Sequence, residues 1–116
     1  MLFRSTTKAI AAERPELVSK TIRATQRALR LIRSDKKFAV DFIKGPYLDL
    51  GKERDRFADR IYDAALQYYV QTGAVDEKLQ REMIATAAQR VKPKELAPPE
   101  RVFDFSFALR VADTLK

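Results

Sequence analysis

Apolar residues, with one threonine among them, recur every three or four positions between Pro15 and Ser34. This spacing constrains the fold more than any other feature of the chain. It places seven residues on one face of an α-helix: Leu17, Val18, Ile22, Thr25, Ala28, Leu29 and Ile32. Pro15 suits the first turn of such a helix, because its missing N–H would have no partner there. The segment is therefore predicted to be an amphipathic helix that buries this face.

Helical spacing recurs along the remainder of the chain. The predicted elements are a short helix capped by Thr6 or Thr7, a helix that starts at Ser34 or Asp35 and stops at Gly45-Pro46, a long helix over residues 52–72, a helix from Asp76 to just before Pro93, and a last helix over residues 104–115. No segment sustains the alternation of polar and apolar residues that is typical of a half-buried strand. We predict an all-α fold of five or six helices in an antiparallel, bundle-like array.

The length of 116 residues suits one helical domain spanning residues 1–116. Pro93, Pro98 and Pro99 favour an extended linker near residues 91–101, before the terminal helix. Apolar stripes in the later helices are expected to be buried. They comprise Phe38, Ala39, Phe42 and Ile43, then Phe57, Ala58, Ile61, Ala64, Ala65 and Tyr68, then Leu79, Met83, Ile84 and Ala87, and finally Phe107, Val111 and Leu115. The alternating Phe103, Phe105 and Phe107 are expected to dock on a neighbouring element, with Asp104 or Ser106 capping the helix.

The sequence contains no cysteine and no histidine. Disulfides, thiolate metal sites and cysteine nucleophiles are therefore excluded, and the commonest general base at neutral pH is missing. No glycine-rich phosphate loop or nucleophile motif occurs either. We predict that the chain is not an enzyme, with no catalytic residue, no metal and no cofactor. No apolar run is long enough to span a membrane, and residues 1–8 lack the apolar region of a signal peptide.

The net charge of +7 is concentrated at the N-terminal end, because residues 1–37 hold ten basic and three acidic side chains. The candidate basic face consists of Lys20, Arg23, Arg27, Arg30 and Arg33, continued by Lys36 and Lys37. Such a face could follow a phosphate backbone or meet anionic lipid headgroups. It could equally be a solvated surface whose long side chains cover apolar edges. No helix-turn-helix signature accompanies it, so the solvated surface is the favoured interpretation.

Three carboxylates, Asp55, Asp59 and Asp63, stand four residues apart on one face of the predicted long helix. Carboxylates at this spacing can bind a divalent cation or transfer protons. The simpler interpretation is pairing with basic side chains of the same helix, namely Lys52, Arg56 and Arg60. Without a histidine to complete a site, pairing is the favoured interpretation.

The order of several short motifs resembles a known family. The predicted helix from Pro15 opens with Glu13-Arg14-Pro15-Glu16-Leu17-Val18. The predicted helix over residues 52–72 ends in Thr72-Gly73-Ala74-Val75-Asp76, and the last helix is preceded by Phe103-Asp104-Phe105-Ser106-Phe107-Ala108. Residues 5–116 thereby resemble the C-terminal part of periplasmic substrate-binding proteins of ABC importers of the nitrate, sulfonate and taurine type, in the thiamine-pyrimidine-synthase-like superfamily. In that family an e-x-P-E-L-V helix start follows the last strand of the second lobe, and an F-D-x-S-F/L-A element precedes the terminal helix.

This resemblance implies the helical tail of a two-lobed α/β protein that serves an importer of a small organic or oxyanionic solute. The implied partners are the missing lobes and the transporter permease, and the implied location is the periplasm; without a signal peptide, the chain as written would be cytoplasmic. Family ligand contacts come mainly from the missing part, so no ligand-binding residue is predicted here. The family branch that makes the thiamine pyrimidine uses His and Cys, which this chain lacks.

Helices that evolved to cover a sheet would leave their apolar stripes unpaired in this chain, and we therefore expect self-association. Two alternatives remain at this stage. One is a stand-alone basic helical module that binds nucleic acid through residues 20–37. The other is a structural adaptor that binds a partner helix.

Overall fold

The computed structural model describes residues 5–47, 51–53 and 55–115, and within these ranges all regular structure is helical. The α-helices are α1 (Lys8–Glu13), α2 (Pro15–Ser34), α3 (Lys36–Phe42), α4 (Ala58–Leu66), α5 (Glu77–Val91), α6 (Pro99–Val102) and α7 (Ser106–Thr114). A π-helical turn at Ile43–Tyr47 follows α3, and a 3₁₀ turn at Asp55–Phe57 leads into α4. The all-α prediction is confirmed, and the bundle-like arrangement stays a prediction.

Helix starts follow the local chemistry of the sequence. Thr7 Oγ1 accepts a hydrogen bond from Ile10 N (3.2 Å), which caps α1. Asp35 Oδ1 accepts from Phe38 N (2.9 Å), and Asp76 Oδ1 accepts from Leu79 N (2.8 Å), so that α3 and α5 start as predicted. Each of these side chains satisfies an N–H group that the first turn of a helix leaves unpaired.

Helix ends depart from the predictions. The long helix predicted over residues 52–72 is only α4, because the chain turns after Leu66, where Tyr68 N donates to Ala65 O at 3.0 Å. The predicted stop at Gly45-Pro46 is wrong in position, since α3 ends at Phe42 and the π-helical turn passes through that pair. The extended linker near residues 91–101 is also interrupted, because Pro99 starts the single turn of α6.

Two small groups of buried side chains hold the helices together. Ala39 and Val40 of α3 pack against Ala58 and Tyr62 of α4, and the Tyr62 hydroxyl donates to Ile32 O of α2 at 2.7 Å. In the second group, Gln26 of α2 lies against α7, where Ala108 and Val111 are buried. Each group joins α2 to a helix that is distant in sequence.

The buried face of α2 is rotated from the predicted one. Gln26 is only 2% exposed, whereas Leu17 is 50% exposed and both Thr25 and Ala28 are exposed. At 100° per residue, Gln26 lies about a quarter-turn from the middle of the predicted stripe. The rotation follows from hydrogen bonds, because the Gln26 Nε2 group donates to Thr72 O and to Ala108 O, both at 2.8 Å. One buried and one partly buried carbonyl group thereby gain a partner that an apolar side chain could not supply.

Many apolar side chains remain at the surface. Fourteen large hydrophobic residues among those described are at least 38% exposed, against six buried hydrophobic residues. The predicted burial is wrong for Leu17, Phe38, Phe42, Phe57, Ala64, Tyr68, Leu79 and Ala87. The radius of gyration is 17.1 Å, whereas a compact domain of this length has one of about 13 Å. The helices thus form an open arrangement that leaves apolar faces without a neighbour.

Candidate partner-binding surface

The structure divides the candidate basic face into two sets. Arg23, Arg30 and Arg33 donate hydrogen bonds to later parts of the chain. Lys20 and Arg27 are exposed and make no hydrogen bond or ion pair with any described residue. The three bonded arginines stabilise contacts between helices, whereas the charges of Lys20 and Arg27 are available to a partner.

The three bonded arginines reach the ends of two other helices. Arg30 Nη2 donates to Leu115 O at 2.8 Å, and Arg23 Nη2 donates to Thr114 Oγ1 at 3.3 Å, both at the end of α7. Arg33 Nη2 donates to Leu66 O of α4 at 3.2 Å and also to Tyr69 O. Carbonyl groups at a helix C-terminus lack intrahelical donors and carry partial negative charge, so guanidinium groups are favourable partners there.

Two of the three acidic residues predicted to pair within their own helix have a partner on another helix instead, and the buried Oδ1 atom of the third, Asp55, has no hydrogen-bond partner among the described residues. Lys36 of α3 lies 2.9 Å from Asp63 Oδ1 and 3.5 Å from Asp59 Oδ1, and its ammonium group lies 5.3 Å from the centre of the Tyr62 ring. Its hydrogen bond to Asp63 raises the pKa of Lys36 above its ordinary value. The predicted partners Lys52, Arg56 and Arg60 are wrong. No three carboxylates converge on a common point within the described ranges.

Three further charged groups have shifted pKa values. The Lys37 ammonium group is paired with Asp41 at 2.6 Å, and the hydrogen bond lowers the pKa of Asp41 and raises that of Lys37. Hydrogen bonds from Ser106 lower the pKa of Asp104, whose Oδ1 accepts from Ser106 N at 2.9 Å. Asp104 thus binds the first N–H group of α7, but the N-cap residue is Phe105, which has no side-chain cap, so the predicted cap by Asp104 or Ser106 is wrong in position. These ionic contacts are structural and lie on the protein surface.

An open groove between α2 and α7 gathers positive charge. Lys20 and Arg23 line it from α2 and Arg110 lines it from α7, with Glu16 as the single carboxylate. The Arg110 guanidinium lies 4.6 Å from the centre of the Phe107 ring, which also lines the groove. The sequence interpretation missed Arg110, because nothing local to α7 shows that it lies beside residues about ninety positions earlier.

A strip of five exposed, mostly apolar residues runs along one side of α2. We call it the α2 seam, and it consists of Leu17, Thr21, Ala24, Ala28 and Leu31, all of them exposed. Thr21 Oγ1 donates to Leu17 O at 2.9 Å, so this hydroxyl is satisfied within the helix and its methyl group adds to the strip. The spacing alternates between four and three residues, which is the pattern of a coiled-coil seam.

The sequence contains the signals for this division of α2. Gln26 stands on the same face as Ile22 and Leu29, and a polar amide between two apolar residues marks a position that makes hydrogen bonds. The strip at heptad spacing is also readable from the sequence once Gln26, rather than Thr25, is placed at the centre of the buried face. The predicted face is centred on Thr25 instead and therefore merges two separate faces into one.

Comparison with protein-family models, with curated protein sequences and with solved structures gives no match for this chain. The resemblance to solute-binding proteins therefore stays a prediction that depends on the three short motifs. No helix within the described ranges combines the length and the apolarity needed to cross a bilayer.

Proposed function

We propose that this chain is a non-catalytic helical module that works by packing exposed apolar helix faces against another protein. The supporting observation is the excess of exposed over buried large hydrophobic side chains on an open arrangement of helices. Exposed apolar surface is unfavourable in water, and contiguous patches of it mark interaction sites.

The exposed residues are distributed over several elements. Leu17 and Leu31 of α2, Leu79 of α5 and Leu109 of α7 are each between 39% and 51% exposed. A partner that contacted all of them would have to extend along the molecule, which measures 49 × 36 × 22 Å. This distribution favours a protein partner over a small-molecule ligand, since small ligands are enclosed in concave pockets.

The resemblance in the sequence supplies one specific form of this proposal. In that form the partner is the pair of α/β lobes of a solute-binding protein, which serves an ABC importer of a small organic or oxyanionic solute in the periplasm. The helices would then cover the lobes, and the chain alone would bind no solute. Genomic sequence upstream of the Met1 codon tests this form: an in-frame continuation that encodes α/β lobes supports it, and a stop codon immediately upstream contradicts it.

Site-specific photo-crosslinking tests the general proposal. A photoreactive amino acid replaces Leu17, Leu79 or Leu109 in turn, and exposed Lys52 and Lys94 serve as polar control positions. After irradiation in the cells that naturally make the protein, we expect the apolar positions to crosslink to one defined protein and the control positions to give no such product. Crosslinks from none of the apolar positions, together with a monomeric chain that binds no hydrophobic dye, would contradict the proposal.

The basic groove between α2 and α7 favours a second candidate function, which is nucleic-acid binding. Lys20, Arg23 and Arg110 converge there beside the Phe107 ring, and cations beside an aromatic ring suit a phosphate backbone and its bases. Binding of duplex or single-stranded probes that weakens steeply with salt, and that is lost when Lys20 and Arg110 are changed to glutamate, would support it. No binding at low salt would eliminate it.

A further inference from the structure

The α2 seam combines three properties that together specify its partner. It is apolar, it is exposed along its whole length, and one edge of it is positively charged. We propose that the α2 seam docks an acidic amphipathic helix of a partner protein. This inference rests on the proposed function, and it names the chemistry of the contacting element.

The shape of the α2 seam suits a helix. Its spacing of four, three, four and three residues keeps it straight along one side of α2 over about 21 Å, which is roughly four helical turns. Leu17 and Leu31 stand at the two ends, and the small Ala24 and Ala28 lie between them. Small side chains in the centre let a second helix approach closely, with its own larger residues over the alanines.

The charge along the edge selects the partner. Lys20 and Arg27 lie next to the α2 seam, seven residues apart, at positions that flank the apolar contacts in a coiled coil. Neither makes a hydrogen bond or ion pair with the described residues, and both side chains are exposed. Arg23 and Arg30, the next basic residues around the helix, add positive potential on the same side although they also bind the end of α7. Glutamate or aspartate on the partner would therefore meet an edge with unpaired positive charge.

The same charges disfavour a second copy of this chain as the occupant. In an antiparallel pairing, Leu17 would face Leu31 of the other copy, and Lys20 of each copy would then face Arg27 of the other copy along one edge of the contact. In a parallel pairing, Lys20 and Arg27 would face Thr25 and Ile32, which carry no negative charge. Like charges in contact oppose pairing, and an absent counter-charge contributes nothing.

A peptide-binding experiment tests the inference on the full chain. The probe is a fluorescent three-heptad peptide with Leu at its core positions and Glu at its flanking positions, and the comparison peptide has Lys in place of every Glu. By fluorescence anisotropy we expect the Glu peptide to bind about tenfold or more tightly than the Lys peptide, and its affinity to fall as salt is raised.

Two variants of the α2 seam and one matched control identify where the peptide binds. Ala24→Asp places a charge in the centre of the α2 seam and is expected to weaken binding about tenfold or more, while circular dichroism verifies that the helix content is kept. Lys20→Glu with Arg27→Glu is expected to reverse the preference toward the Lys peptide. The control, Lys78→Glu with Arg90→Glu on exposed positions of α5, has the same change in charge and is expected to leave the affinity unchanged.

Each outcome has a defined meaning. Equal binding of both peptides, no binding of the Glu peptide, or no effect of Ala24→Asp would overturn the inference. Light scattering that shows a dimer which Ala24→Asp dissolves would assign the α2 seam to a second copy and would also overturn it. Photo-crosslinks from Leu79 or Leu109 without any from Leu17 would overturn this inference while leaving the proposed function standing.

Discussion

α2 and α5 are the two longest helices described, and they are held in very different ways. α2 contacts α1, α3 and α7, and it contains the buried Gln26, whereas α5 has no buried residue and has α6 as its main neighbour. Long polar side chains account for much of this difference, because three arginines and one glutamine of α2 reach backbone or hydroxyl groups of distant elements. In α5, Gln80 Nε2 donates to Val75 O at 2.8 Å, which lies only five residues before it in the chain. Apolar spacing alone therefore does not determine which helix is fixed by the rest of the molecule.

The largest expected effect on the free energy of unfolding comes from replacing Gln26 of α2 by glutamate, with the same replacement of Gln80 in α5 as the comparison. Gln26→Glu replaces a buried donor with a carboxylate facing the carbonyl groups of Thr72 and Ala108, and we expect it to lower the free energy of unfolding by about 3 kcal/mol at neutral pH. Gln80→Glu in half-buried surroundings is expected to cost about 1 kcal/mol or less. Urea denaturation followed by circular dichroism measures both.

A pH titration of the Gln26→Glu variant adds an internal control. Burial raises the pKa of the introduced carboxyl group, so stability is expected to recover as the pH falls and the protonated group regains a donor. Equal losses for the two glutamine variants, independent of pH, would contradict the contrast between α2 and α5.

The next effect concerns two arginines in the last turns of their helices. Arg33→Ala removes the donor to Leu66 O and Tyr69 O, and we expect a loss of about 1 kcal/mol. Arg90→Ala at the same place in α5 removes no hydrogen bond and is expected to change stability by about 0.3 kcal/mol or less. A thermal melt of each variant measures the difference, and a larger loss for Arg90→Ala would reverse our interpretation.

Removal of a helix cap distinguishes the local opening of one helix from the global unfolding of the protein. Removal of either cap, by Asp76→Ala in α5 or Asp35→Ala in α3, should cost its helix about 1 kcal/mol. We expect Asp76→Ala to speed amide exchange about fivefold within Glu77–Val91 without moving the denaturation midpoint, because α5 can open by itself. Asp35→Ala should move the midpoint, since α3 contributes Ala39 and Val40 to the core. A shift of the denaturation midpoint in the Asp76→Ala variant would show that α5 unfolds together with the core and would contradict this expectation.

The smallest expected effect is the response of the native chain to pH. The pKa values of Asp41 and Asp104 are lowered, so the stability that they contribute is present above the unfolded value of about 3.9 and is lost as the pH falls through the folded value. The pKa values of Lys36 and Lys37 are raised, so their contribution is present below about 10.4 and is lost at higher pH. Stability should therefore be flat between about pH 5 and pH 9, and a step near neutral pH in a denaturation series would contradict this.

Local chemistry made part of the fold predictable. Thr7, Pro15 and Asp76 act within one turn of their own position, and each marks a helix start that the structure confirms. The all-α class follows from the same helical spacing along the chain. Predictions of this kind succeed because the interacting groups are neighbours in sequence.

Contacts between distant residues determine the remainder, and the sequence around each residue does not name its partner. The orientation of α2 depends on acceptors 46 and 82 residues after Gln26, and the end of α4 is bound by Arg33 from another helix. Likewise, Asp59 and Asp63 bind Lys36 of α3, although closer cations are present in sequence. The basic face was predictable as a set of residues, but its division into bonded and free members was not.

The contacts between α2 and α7 have a consequence for synthesis of the protein. The hydrogen-bond acceptors that α7 and its C-terminal end offer to Gln26, Arg23 and Arg30 lie 82 to 91 residues later in the chain. The hydrogen bonds to these acceptors cannot form until α7 has left the ribosome. At about 5–20 residues per second, α2 spends several seconds with this face open to solvent and to other chains. A nascent chain that is arrested before α7 should therefore be a substrate for chaperones, and completion of the last helix should release it.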